Sequence, residues 1–129
     1  MVAYSFQKRF APKILGGTKQ QTIRLVGRRR HARPGEEIQC YTGLRTKHAR
    51  LIRRVTCTDV LPIHIWFVGR SRIKVGDDLV YDLDSFAIGD GFDHWDDMWE
   101  FWREHHDKPS EFSGLIIKWS ADNVLQAEE

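Results

Sequence analysis

Cysteine is nearly absent from this chain: Cys40 and Cys57 are the two among 129 residues. They are far apart, not spaced Cys-x-x-Cys, and each falls in a strand-like run. That points to buried free thiols and away from a disulfide framework or a thiolate metal site. Long apolar runs are missing too. No window approaches the roughly 18 apolar residues of a membrane helix. Lys8, Arg9 and Lys13 interrupt the N-terminal stretch where a signal peptide would be apolar. A soluble cytoplasmic protein with no membrane partner is therefore expected. Repeats, low-complexity tracts and linkers are also lacking, so residues 1–120 read as one domain followed by a polar tail, residues 121–129.

Acids are scarce in the first 54 residues, which carry Glu36 and Glu37 against fourteen Lys and Arg. Residues 55–129 reverse the balance, with sixteen acids and six bases. The net charge of +2 hides this division. The basic half contains Arg28-Arg29-Arg30 and Arg33, a candidate phosphate-binding loop. Two readings stand: a basic face toward nucleic acid or a nucleotide, or two halves that neutralise one another.

What is present is mostly strand signal. Tyr4–Phe6, Thr22–Val26, Glu37–Thr42, Ala49–Thr58 and Leu61–Val68 have strand-like patterns. Arg72–Val75 and Leu79–Leu83 flank Gly76-Asp77-Asp78 as a hairpin. Gly114 leads into a last strand, Leu115–Trp119. Phe10, Ile14 and Leu15 suit a short helix with Pro12 in its first turn. A second helix should start after an Asp93 cap, with Trp95, Met98, Trp99 and Trp102 on one face. A tryptophan stripe at that spacing reads as core. The expected class is α+β: a small, mostly β barrel with flanking helices.

The most informative segment is Gly17-Thr18-Lys19-Gln20-Gln21-Thr22-Ile23-Arg24. Strand residues two apart share a face, so Thr22 and Arg24 should point together. Lys19 lies at odd spacing, but a turn at Gly16-Gly17 could return it to that side. The same residues also suit an ordinary turn into an edge strand.

This segment fits the Gly-x-Lys-x-x-(Thr or Glu)-x-Arg signature of ASCH domains, which are small PUA-like β-barrels. Arg33-Pro34-Gly35-Glu36 resembles the turn that follows in that family. Asp90-Gly91-Phe92 with its Trp-rich helix, and the closing Phe112–Trp119 segment, resemble its C-terminal half. The resemblance implies a cleft facing nucleic acid or a nucleoside. Members with Thr at the sixth signature position resemble amidohydrolases that cleave N4-acetylcytidine to cytidine and acetate. Members with Glu there include a ribonuclease and RNA-binding proteins. By position, the resemblance makes Lys19 the proton acceptor, Thr22 the nucleophile and Asp90 the proton donor. The amidohydrolases use a glutamate near the start of this helical region; Asp90 is one methylene shorter, and Glu100 is the alternative carboxylate.

That chemistry sets a physical condition. A lysine of ordinary pKa is neutral in only about one molecule in 10³ at neutral pH. Burial and the Arg24 cation would push Lys19 toward neutrality, whereas an ionised Asp90 nearby would oppose it. The site is consistent if Asp90 is protonated or faces the leaving group. No metal is needed for this reaction. The histidines lack the i, i+4 spacing of a helical zinc pair and read as surface residues. The alternatives are an RNA-binding module that grips phosphate with its basic half, and a ribonuclease that uses the same cleft.

Overall fold

The computed structural model describes residues 2–107 and 109–120; the polar tail expected at 121–129 lies outside them. The order of elements is β1 (Val2–Phe6), α1 (Ala11–Leu15), β2 (Gln21–Arg24), β3 (Glu37–Thr42), β4 (Arg50–Trp66), β5 (Arg72–Val75), β6 (Asp78–Leu79), α2 (Leu83–Gly89), α3 (Trp95–His105) and β7 (Glu111–Trp119). A single 3₁₀ turn, Lys8–Phe10, leads into α1. The fold is mixed α+β and mostly strand.

Seven strands share one sheet. The path runs β1-β3-β4-β5-β6, with β7 also paired to β4 and β2 paired to β7. β1 and β3 are parallel, and the other pairs are antiparallel. This pairing is an open path, not a closed ring: among the described residues no ladder joins β1 to β2. A side chain bridges that seam instead, with Arg24 of β2 donating to the backbone carbonyl of Ser5 in β1 (3.0 Å).

β4 organises the sheet. Its first part, through Thr56, pairs with β3, and its second part, from Cys57, pairs with β7. The expectation of two strands, Ala49–Thr58 and Leu61–Val68, is corrected to one strand of 17 residues. The β4–β7 register slips between Cys57 and Asp59. A bulge there absorbs the break in the sequence pattern and bends the strand without ending it. Pro62 is tolerated within it: it lies opposite Leu115, and the β5 ladder starts only at Ile63.

The Gly76 turn forms as expected, at φ +59°, between paired Val75 and Asp78. The strand expected over Leu79–Leu83 ends at Leu79. Leu83 instead opens α2, where Asp82 caps the helix by accepting from the Ser85 amide (3.0 Å). The cap of α3 is His94, not Asp93: its Nδ1 accepts from the Asp97 amide, while the Asp97 carboxylate accepts from the Asp93 amide. Trp95, Met98 and Trp102 face the core, as their spacing requires. The core also holds Tyr4, Ile38, Ile65, Phe67 and Ile116, together with Cys40 and Cys57, which are buried free thiols.

Candidate active site

The seam between β1 and β2 opens into a cleft of about 490 Å³. β1 contributes Ser5 and Phe6, β2 contributes Thr22 to Arg24, and Phe10, Phe92, Phe101, Trp102 and Phe112 form aromatic walls. At its polar end stand Lys19, Thr22 and Asp90, which are 3%, 5% and 4% exposed. Few lysines and aspartates in folded proteins are this dry.

Local structure explains the convergence. α1 ends at Gly16 in ordinary helical dihedrals, and it is Gly17 alone, at φ +88°, that turns the chain. The Lys19 amide then donates back to the Lys13 carbonyl (3.0 Å), which fixes the approach to β2. Thr22 and Arg24 share a face as the period of two demands: Arg24 Nε donates to Thr22 Oγ1 at 3.0 Å. Asp90 comes from the end of α2, where its amide donates to the Phe86 and Ala87 carbonyls. Gly91 follows at φ +100°, and a Cβ there would lie 2.8 Å from both Lys19 Cδ and the Phe10 ring. Only glycine fits this position, for both conformation and space.

Lys19 Nζ donates to the backbone carbonyl of Asp90 and lies 3.5 Å from its Oδ1. Gln21 Nε2 donates to the same Oδ1 (3.3 Å). Nζ also sits 4.9 Å from the Phe10 ring centroid. Burial, the largest influence, pulls the Lys19 amine below its usual value; Asp90 opposes this and Arg24 adds to it. Burial likewise pushes the Asp90 carboxyl up, against the opposing pull of Lys19. Both directions favour the uncharged pair, a neutral amine beside a carboxylic acid. Burial lowers Arg24 as well, but a guanidinium stays charged at neutral pH.

Lys19, Thr22, Arg24 and Asp90 are thus brought together. Glu100 is not: it is exposed on α3 and does not line the cleft. The expected phosphate-binding arginines divide. Arg30 is held bidentately by Glu36 (2.8 and 3.0 Å) and Arg29 donates to the Ala3 carbonyl. Arg28 and Arg33 are exposed and make no ion pair with another described residue. Sequence reasoning missed Gln21, the aromatic walls and His106, which stacks on Trp102 (4.2 Å) and lines the cleft. His106 is exposed, as the surface reading of the histidines has it, while also lining the cleft. Partial desolvation, aided by His105, lowers its pKa. Among the described residues, no three His, Cys, Asp or Glu side chains cluster as a metal site.

No family model, curated protein or solved structure matches this chain.

Proposed function

We propose that this protein is a PUA-like ASCH domain acting as an amidohydrolase, removing the acyl group from N4-acylcytidine or a related modified nucleoside. One observation carries the reading. The lysine and threonine of the signature and an aspartate from the end of α2 share one dry, aromatic-walled cleft, and burial drives both charged partners toward neutrality.

Lys19 and Thr22 line the same cleft without a hydrogen bond between them, so the proton transfer proposed here requires their side chains to close together over the substrate. Arg24 occupies a lone pair of Thr22 Oγ1 and leaves the hydroxyl proton to be given away. The guanidinium also favours the alkoxide that forms. A neutral Lys19 keeps two N–H donors, one of them on the Asp90 carbonyl, and a lone pair that accepts the Thr22 proton. Thr22 Oγ1 then bonds to the acyl carbon. As the C–N bond breaks, the protonated Asp90 gives its proton to the departing exocyclic nitrogen. The acyl group now sits on Thr22, with Lys19 cationic and Asp90 anionic. Asp90 takes a proton from water, whose oxygen attacks the ester, and Lys19 returns its proton to Thr22. Acid and base are thereby restored. The aromatic walls supply flat surfaces for a nucleobase.

The test is turnover of N4-acetylcytidine and longer N4-acyl analogues by the full chain, read as cytidine released. Lys19→Ala, Thr22→Ala and Asp90→Asn should each lower the rate by about 10²-fold or more, with the fold retained by circular dichroism. Wild-type failure on every acylcytidine, or unchanged rates in the variants, overturns the proposal.

The exposed Arg28 and Arg33 favour a second reading, in which the same domain binds RNA without cleaving an amide.

A further inference from the structure

A second cluster of chemistry-bearing side chains lies away from this cleft, on β4 and β7. Ser113 and His64 stand directly opposite one another in the β4–β7 ladder, and Glu111 is the next residue of β7 on that face. Ser113 Oγ is 2.6 Å from His64 Nδ1, and His64 Nε2 is 2.7 Å from Glu111 Oε1. An ionised carboxylate only accepts, so Nε2 carries the imidazole hydrogen and donates it to Glu111. In the neutral imidazole Nδ1 is then the unprotonated nitrogen, and its lone pair accepts the Ser113 hydroxyl proton. The Trp66 ring, 4.2 Å from the imidazole, holds it from the side, and Arg72 sits over Trp66 at 4.4 Å.

We propose that Ser113 is an activated nucleophile that captures acyl groups from donors with a good leaving group, such as thioesters, acyl phosphates or aryl esters. The arrangement has the three parts nucleophilic catalysis requires: a hydroxyl, a base on its proton, and a group that fixes the base. In an ordinary surface serine the hydroxyl proton goes to water. Here it is directed at a basic nitrogen whose other side is held by a carboxylate. The roles of the two imidazole nitrogens are exchanged relative to the familiar serine-hydrolase triad, but the relay of hydrogen bonds is the same.

The surrounding surface limits the substrate class. Ser113 and Glu111 are exposed, and an open surface gives a tetrahedral intermediate little electrostatic help. Amides, with their poor leaving groups, are therefore outside its reach. In the step itself, Ser113 Oγ bonds to the acyl carbon and the bond from that carbon to the leaving group breaks. The leaving group departs as the anion, while His64 Nδ1 receives the serine proton. The imidazolium is then balanced by Glu111.

The test uses 4-nitrophenyl acetate with the full chain, in wild type and in Thr22→Ala so that the cleft cannot contribute. Nitrophenolate release is followed in the burst phase and the acetylated peptide is located by mass spectrometry. Acetyl on Ser113 in both proteins is expected. Ser113→Ala should abolish that label, and His64→Gln should slow it by about tenfold or more. Glu111→Gln should lower the burst rate without altering the ester concentration that half-saturates it. An unmodified Ser113 peptide overturns the proposal, as does a labelling rate that His64→Gln leaves unchanged.

Discussion

The absence of water around Asp90 raises its carboxyl pKa, and that has a consequence opposite in sign to ordinary acid denaturation. Its folded-state pKa is raised above the unfolded value of 3.8. Between those two values the native state binds a proton that the unfolded state does not, so stability falls as pH rises. Each such proton tilts the curve by about 1.4 kcal/mol per pH unit. Lys19 acts in mirror image. Its folded pKa is lowered from 10.5, so its contribution to stability is lost as pH falls below the unfolded value. At neutral pH the protein therefore carries both costs. Asp90→Asn removes the first while preserving shape and the backbone carbonyl that receives Lys19. The variant should be more stable than wild type at neutral pH, and its advantage should shrink to nothing as pH falls toward 4. Urea unfolding of both proteins over a pH series measures this. An advantage that grows on acidification would mean that Asp90 is ionised in the folded protein.

At the scale of elements, the site depends on β2 lying close against β7. Gly114 makes that possible. A Cβ there would stand 2.5 Å from the Arg24 backbone carbonyl and 2.6 Å from the Phe112 ring. Neither can yield easily, because the first belongs to the ladder and the second to the cleft wall. Gly114→Ala should destabilise the protein by about 1–3 kcal/mol and lower turnover by shifting Thr22 and Arg24. Thermal unfolding and the deacylation assay report the two effects. Unchanged values in both would show that β2 is not seated on β7 as described. The same elements mark what the sequence made legible. Thr22 and Arg24 could be paired because a period of two leaves no other geometry, and Glu37–Thr42 because its alternation is uninterrupted. α2 was not legible: Leu79, Val80, Tyr81 and Leu83 look like a continuing strand, and the Asp82–Ser85 cap was the overlooked signal. Bulged β4 looked like two strands because a local pattern does not show that a third strand, β7, spans the irregular point. The aromatic cleft was hidden for a related reason. Phe6, Phe10, Phe92 and Phe112 come from separate segments, and only the assembled fold brings them to one wall.

At the scale of the whole molecule, the charge division is partly consumed by the fold. Arg9 pairs with Asp97 (2.6 Å) and Lys13 with Asp93 (3.1 Å), and both join the basic first segment to the acidic region around α3. Within the basic half, Arg30 is bound to Glu36, whose carboxyl is held down to about 2 by that hydrogen-bonded pair. Arg28 and Arg33 flank this clamp and remain exposed. The two functional readings therefore differ in salt dependence. A nucleoside carries no phosphate, so its binding should barely respond to salt. Single-stranded RNA should show log K falling with log salt, with a slope of about −0.7 for each phosphate neutralised. If RNA is held by this loop, Arg28→Ala and Arg33→Ala should each make that slope shallower by about 0.7. Arg30→Ala should leave it unchanged, because Glu36 already satisfies that guanidinium. Fluorescence anisotropy of a labelled oligonucleotide across a salt series distinguishes these outcomes. Equal loss of slope in all three variants would show that Arg30 leaves Glu36 to meet phosphate. Absence of any slope would leave the buried cleft, and not the basic loop, as the part of this molecule that meets its ligand.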